Sequence, residues 1–303
     1  MHRLLDLLGS VSNSARLKSQ FADKVLSKIH SVGRDKKLGV RIRDETWDNL
    51  LLLDACRSDL FEEVVDVSQL DSYDVRVSQG SGTREWTRKN FSGAAASDIV
   101  YVSGSPVVSR NIQTTMHHYV EVWKNKFDPE LATVPPEPVA EAARVAKNRF
   151  PDKRLIVHFL QPHYPFIGFP NLRFASFSAT DEFQVEAPDG VHSVWDALTL
   201  GLISEEEVWD AYKENLKHVF SQAYPLAQEL SGTSVITSDH GNLIGERPAW
   251  SPFRLYGHPN GIRHPSLTSI PWAVIKDERT NQTDATDEDV NMQEQLQALG
   301  YTE

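Results

Sequence analysis

With 303 residues, 40% of them hydrophobic and 24% charged, the chain has the composition of a folded globular protein and room for one large α/β domain or two small ones. Its net charge of −11 argues against a general nucleic-acid binder, because phosphate-backbone contacts need a basic surface. The single cysteine, Cys56, excludes an internal disulfide framework, and no apolar run reaches membrane-spanning length.

Residues 1–43 hold ten Lys or Arg against three Asp, so the acidity lies in the rest of the chain. Leu4, Leu8 and Val11, then Phe21, Val25 and Ile29, recur at helical spacing. We expect a basic helical segment over 1–43, apart from an α/β domain over 44–303. Ser10, Ser12, Asn13 and Ser14 break its apolar face. That favours docking on the domain over the alternative, peripheral contact of residues 1–30 with an anionic membrane. Asp6 interrupts the first leucines and no cleavage pattern follows, so no signal peptide is expected. The expected location is cytoplasmic, with membrane association as its variant.

The run Leu50-Leu51-Leu52-Leu53 reads as a strand buried on both faces, ending in Asp54. A short helix over 59–66 and a strand from Tyr73 to Val77 follow. The small polar turn Ser78-Gln79-Gly80-Ser81-Gly82 leads into a helix over Thr83 to Phe91. Ile99 to Val102 is a strand, and His117-His118 are assigned to an amphipathic helix. The stiff connector Val134-Pro135-Pro136-Glu137-Pro138 opens a helix to about Arg149.

Arg154 to Leu160 is a buried strand running into Gln161-Pro162-His163-Tyr164-Pro165-Phe166. Residues 167–200 read as an irregular excursion of the kind that selects substrates. The longest helix spans 204–230, with Ser204 as cap and Glu207 three residues on. A strand then ends in Ser238-Asp239-His240-Gly241. A loop rich in Pro and Gly over 245–266 and a strand over 270–275 come next. Residues 277–289 are read as acidic and exposed, and 292–299 as a closing helix. Strands and helices alternate without repeats, which predicts an α/β, doubly wound, mainly parallel sheet with helices on both faces.

Open α/β sheets place ligands at the carboxyl ends of their strands. Asp54, His163 and Asp239-His240 stand at three such ends. Asp54 taken alone reads slightly better as the cap of the next helix. Carboxylate and imidazole together suit zinc or manganese, and Gly241 would let the chain turn sharply behind them. Thr83 opens a helix, where free N–H groups and the helix dipole stabilise an anion. Without a metal its hydroxyl is a poor nucleophile and would be only an N-cap, with Trp86 packing the core. Cys56 is expected to be buried and inert, and no arginine stands where a Cys-x5-Arg loop would place one. Arg57 is expected to pair with Asp59, with reaching a substrate phosphate as its alternative. His158 reads as a satisfied core histidine, and His264 is left unassigned.

Leu53-Asp54-Ala55-Cys56-Arg57, Gly80-Ser81-Gly82-Thr83, Gln161-Pro162-His163-Tyr164-Pro165-Phe166, Ser238-Asp239-His240-Gly241 and Leu299-Gly300-Tyr301 occur in this order. Together they resemble the alkaline phosphatase superfamily on its sulfatase-like branch. On the sulfatase Cys-x-Pro-x-Arg pattern, Thr83 takes the cysteine place and Ser92-Gly93 the closing Thr-Gly. Glu85 and Thr87 replace the Pro and Arg. Lacking that cysteine, the chain cannot form formylglycine, so the resemblance favours the threonine-nucleophile members. It implies a metal site of Asp54, Thr83, Asp239 and His240, holding manganese or zinc ahead of calcium. One ion is favoured over two; a second would use His163 and His258.

By the same resemblance His163 matches the substrate-phosphate histidine of lipoteichoic acid synthases and phosphoethanolamine transferases. His258, in Tyr256-Gly257-His258-Pro259, falls where two-metal members place a further histidine. Thr83, His163 and His258 would then be catalytic. The implied activity is hydrolysis or transfer of phosphate, or sulfate, esters that are small or linked to glycan or lipid. The alternative is a metal- or partner-binding protein without turnover.

Overall fold

The computed structural model of the chain describes residues 39–93, 95–112, 114–174, 191–248 and 251–277. The four leucines form most of β1 (Asn49–Asp54), fully buried along its length. Side chains alternate across a strand, and Leu51 and Leu53 pack into one core while Leu50 and Leu52 pack into another. That requires cover on both faces of the sheet. The first core is closed by α1 (Ser58–Val64). Next in the chain are β2 (Ser72–Val77), α2 (Thr83–Phe91), which closes the second core through Trp86 and Phe91, then β3 (Ala96–Ser103) and β4 (Met116–Glu121). The helix α3 (Pro136–Arg149), β5 (Arg154–Pro162) and the long α4 (Glu205–Glu229) follow, both helices lying on the first core. The chain continues through β6 (Thr233–Thr237), the two-residue strands β7 (Leu243–Ile244) and β8 (Tyr256–Gly257), and β9 (Ser269–Lys276).

Seven strands form the sheet in the order β2-β9-β6-β1-β5-β3-β4. β1 pairs in parallel with β5 and β6, while β9 runs antiparallel to both its neighbours. The expected doubly wound, mainly parallel α/β sheet is therefore present. β1 lies near its middle, with Leu51 opposite Val157 on one side and Ile236 on the other. The carboxyl ends of β1, β5 and β6 thus open on one edge. The amide of His163 donates to the Asp54 carbonyl at 3.1 Å, tying the end of β5 to the end of β1.

Two expectations are corrected. His117 and His118 lie in β4, an edge strand, and not on a helix. Val120 pairs with Val102 and Tyr119 stacks on Tyr101 at 5.4 Å, so strand pairing decides the conformation. Gly241 is not among the glycines of positive φ. It is needed for close approach: a Cβ there would collide with the Ser266 carbonyl oxygen and lie 2.9 Å from Arg57 Cγ. The excursion after β5 contains a 3₁₀ turn at Pro170–Leu172 and a helix at Val194–Thr199. The basic segment, residues 175–190, the acidic stretch and the closing helix lie outside the described residues, apart from the ends of the first and third at 39–43 and Asp277. Among the described residues no helix is long and apolar enough to cross a membrane.

The cap of α4 is as expected. Ser204 Oγ accepts from the Glu207 amide at 3.1 Å, and Glu207 Oε2 accepts from the Ser204 amide at 2.8 Å. Replacing Ser204→Ala removes one half of this reciprocal pair and should destabilise the protein by about 1 kcal/mol, read as a lowered urea midpoint; an unmoved midpoint would show that α4 does not depend on its cap.

Candidate active site

The site begins with a backbone bend. Ala55 directly follows Asp54 and has φ 60°, a left-handed conformation that costs an alanine about 1 kcal/mol or more. Three bonds hold it there. The Ala55 amide donates to Asp239 Oδ1 at 3.0 Å, the Cys56 amide donates to Ser238 Oγ at 2.8 Å, and the Tyr212 hydroxyl donates to the Ala55 carbonyl. The turn after β1 is thereby stitched to the turn after β6.

Asp239 Oδ1 accepts from the amides of Ala55 and His240, both at 3.0 Å. Its Oδ2 is fully buried and has no hydrogen-bond partner. His240 Nε2 lies 3.4 Å from that Oδ2, 3.7 Å from Asp54 Oδ1 and 3.1 Å from Thr83 Oγ1. Thr83 Oγ1 lies 3.5 Å from Asp54 Oδ1. His240 Nδ1 sits 2.8 Å from the Gly241 carbonyl. A carbonyl only accepts, so Nδ1 carries a proton, and in the neutral ring the Nε2 lone pair faces the two carboxylates. Bare nitrogen and carboxylate oxygen repel unless a proton or a metal ion stands among them. Most of these separations exceed hydrogen-bond lengths. They are close to the roughly 3.3 Å between neighbouring donors around a zinc ion with bonds of about 2.0–2.1 Å. The four residues therefore fit a divalent cation.

Thr83 is the first residue of α2, and Gly82 occupies the cap position. Thr83 is accordingly not the N-cap, and its hydroxyl is free to face Asp54 and His240. The first N–H groups of a helix have no partner within it, so the helix end adds positive potential beside the hydroxyl.

His158, read from the sequence as a satisfied core histidine, is satisfied on one nitrogen. Its Nδ1 pairs with the Tyr101 hydroxyl at 2.8 Å, while Nε2 has no hydrogen-bond partner. That Nε2 lies 3.8 Å from Asp54 Oδ2 and 4.0 Å from Asp239 Oδ2. Asp54, His158 and Asp239 present donor atoms within 4.8 Å of one another, all buried. His158 thus underlies the carboxylates from within the sheet. The signal for it was a histidine interrupting an otherwise apolar strand.

His163 and His258 lie next to His240. Their Nε2 atoms are 2.9 Å apart, and the His258 ring centroid is 4.6 Å from that of His240. His163 Nδ1 donates to the Tyr164 carbonyl, so its Nε2 is bare and the proton between the two rings belongs to His258. The structure thus brings all six expected residues together. Arg57 is committed elsewhere: it pairs with Asp59 through two bonds of 2.9 and 2.6 Å, with Glu246 at 2.5 Å, and donates to the Asn242 carbonyl at 3.1 Å. Cys56 is fully buried. Burial, then Asp59, push its thiol well up, away from the thiolate a nucleophile needs. His264 Nδ1 accepts from the Ser266 amide at 3.2 Å and caps a one-turn helix.

Charge is divided unevenly here. Burial and then the Asp239 charge push the Asp54 carboxyl well up. Burial acts the same way on Asp239, but His240 and His158 outweigh it and hold that carboxyl below its ordinary value. Without a cation Asp54 therefore holds a proton more readily than Asp239 does. Burial pulls His158 and His163 down to about 4, and pulls His258 well down, with His240 adding to it.

No protein-family model matches the chain, and no curated protein matches its sequence. Solved structures do. The soluble domain of lipooligosaccharide phosphoethanolamine transferase A from Neisseria meningitidis is 13% identical with a TM-score of 0.50, over 81% of each chain. The integral membrane protein lipooligosaccharide phosphoethanolamine transferase A from the same organism is 12% identical with a TM-score of 0.50, over 81% of this chain and 50% of that one. The chain therefore has the fold of that soluble domain, a mainly parallel α/β sheet as the alternation of its strands and helices predicted.

The depressed histidines carry a pH consequence for metal-free protein. A buried histidine kept neutral to about 4, when the unfolded value is 6.5, contributes stability that is full above pH 6.5 and is lost as pH falls from 6.5 to about 4. Asp54, with its raised carboxyl, acts in the opposite sense. Thermal melts of wild type and His163→Gln between pH 7 and 4 separate the two: the variant should lose less on acidification, and parallel curves would contradict the assignment.

Proposed function

We propose that the chain is a metal-dependent enzyme that transfers or hydrolyses phosphate esters through Thr83. The observation that carries this is the Thr83 hydroxyl at a helix N-terminus, 3.1 Å from the bare nitrogen of His240 and 3.5 Å from Asp54, beside the unpartnered Asp239 Oδ2. Asp54, Asp239, His240 and Thr83 would hold one zinc or manganese ion. Such an ion lowers the pKa of a bound hydroxyl and polarises a phosphoryl oxygen.

The remaining chemistry belongs to this chain's residues. Thr83 reacts as its alkoxide, its proton having left to solvent. The Thr83 oxygen bonds to phosphorus in line as the bond from phosphorus to the leaving oxygen breaks. With the phosphate anion bound beside it, the His163–His258 pair takes up one proton from solvent, and His258 gives a proton to the leaving oxygen, returning the pair to its neutral form. The free amides at the start of α2 stabilise charge on the equatorial oxygens. Water or an acceptor hydroxyl then gives its proton back to His258 and attacks phosphorus, and the Thr83 oxygen departs. The sequence assigned His163 to the substrate phosphate. Its bare Nε2 cannot donate to an oxygen unless protonated, and burial opposes that. Its role here is to orient His258.

A lipid- or glycan-linked phosphodiester as substrate is supported by likeness to the lipooligosaccharide transferase. Membrane contact through residues 1–30 belongs to the same proposal. Flotation with anionic liposomes should fall for the full chain carrying Lys18→Glu, Lys24→Glu and Lys28→Glu; unchanged flotation would remove it. A second reading, binding without turnover, is favoured by Glu85 and Thr87 where sulfatases carry Pro and Arg.

Turnover of a model phosphodiester in zinc or manganese, with a sulfate ester in parallel, decides between them. Wild type should act on the phosphodiester, lose activity to a chelator and regain it on metal addition. Thr83→Ala should be slower by at least about a hundredfold. Equal rates for the two proteins would remove Thr83 from the mechanism, and an inert wild type would favour the binding protein.

A further inference from the structure

Two distant stretches meet at the start of α2: the turn Gly80-Ser81-Gly82 and the loop His258-Pro259-Asn260-Gly261. A single buried carboxylate links them. Glu85 Oε2 accepts from the Ser81 amide at 3.0 Å, from Ser81 Oγ at 3.0 Å and from the Gly261 amide at 3.3 Å. Ser81 Oγ also accepts from the Gly261 amide at 2.8 Å and lies 3.1 Å from the Pro259 carbonyl. The other carboxylate oxygen pairs with Lys89, which also donates to the Gln79 carbonyl at 2.8 Å. The loop is thus bonded on both sides of Asn260.

The packing at this junction is close. A Cβ on Gly82 would lie 3.0 Å from Asn260 Oδ1 and 3.4 Å from His258 Nδ1. The imidazole of His258 therefore stands beside the backbone that precedes Thr83, with room for little more than a methyl group between them. Helix capping alone does not account for Glu85. A glutamate at the third helical position commonly reaches back to an amide before the helix, and Ser81 supplies that amide. Nothing in capping calls for the bond to Gly261, which belongs to the loop and not to the helix.

We propose that Glu85 is a positioning residue: through Ser81 and Gly261 it fixes the loop of His258 against the Thr83 turn, and so sets where His258 stands relative to the nucleophile. This rests on the roles proposed for Thr83 and His258. It gives a physical reason for a glutamate at the place where sulfatases carry proline. Proline would hold the helix start by its ring, whereas glutamate also reaches a second segment. Lys89 keeps the carboxylate charged and aimed back along the helix.

Two readouts test it. In a double-mutant cycle on a model phosphodiester, Glu85→Ala should lower kcat by about tenfold to a hundredfold, the range for a misplaced group, with a smaller change in KM. Added to His258→Gln, it should cost less than about threefold more, because the residue through which it acts is already lost. Metal affinity by calorimetry should be unchanged. Effects that multiply in the double variant would overturn the proposal. The second readout needs no turnover. In long-range imidazole ¹H–¹⁵N spectra, Glu85→Gln should move the His258 resonances and leave those of His218, remote on α4, in place. Unmoved His258 resonances would sink the idea even if the protein folds normally. Should Glu85→Ala fail to fold, Glu85→Gln and Ser81→Ala enter the same cycle. An inert wild type would count against the Thr83 reading alone, and the spectra would still decide the place of Glu85.

Discussion

Two carboxylates, Asp54 and Asp239, are buried side by side at the ends of adjacent parallel strands, and the site is built around holding them there. Their oxygens lie within 4.8 Å of each other. At about 4 Å and an effective dielectric near 20, two such charges repel by about 4 kcal/mol. The fold meets this partly with backbone donors, the amides of Ala55 and His240 on Asp239 Oδ1. It meets the rest by favouring the protonated form of Asp54, whose carboxyl burial and Asp239 push up. Both devices leave Asp239 Oδ2 and His158 Nε2 unpartnered in the interior, a condition that costs about 1–3 kcal/mol per group. A divalent cation removes the repulsion, and with it the need for the proton.

The strained bend at Ala55 follows from the same constraint. A strand that ran straight on from β1 would not bring its next amide to Asp239. The left-handed turn does, and the hydroxyls of Tyr212 and Ser238 hold it. Backbone carbonyls then set the direction of the imidazoles. Gly241 takes the Nδ1 proton of His240, and Tyr164 takes that of His163. One ring turns its lone pair toward the carboxylates and the other toward His258. The His258 N–H is thereby engaged by His163, and His240 Nε2 is turned toward the carboxylates.

Much of this was legible in the sequence, for a definite reason. A residue that breaks an apolar run marks a strand end, and parallel sheets gather their carboxyl ends at one edge. Asp54 and the Asp239-His240 pair are of that kind, and Thr83 follows a turn that opens a helix. What was not legible depends on register. His158 faces Asp54 and Asp239 only because β5 pairs with β1 so that His158 stands opposite Leu52. Glu85 bonds a glycine 176 residues away, which no local pattern reveals. β4 was mistaken for helix because adjacent histidines spoil a two-residue alternation, and β7 and β8, two residues each, are too short to show one.

The central claim is that these side chains grip a single divalent cation beside the Thr83 oxygen. Anomalous diffraction from crystals of the full chain grown with zinc or manganese tests it most directly. The account predicts one strong peak, in contact with Asp54, Asp239, His240 and Thr83 Oγ1. Absence of a peak there, or an ion held only by residues outside that set, would contradict it.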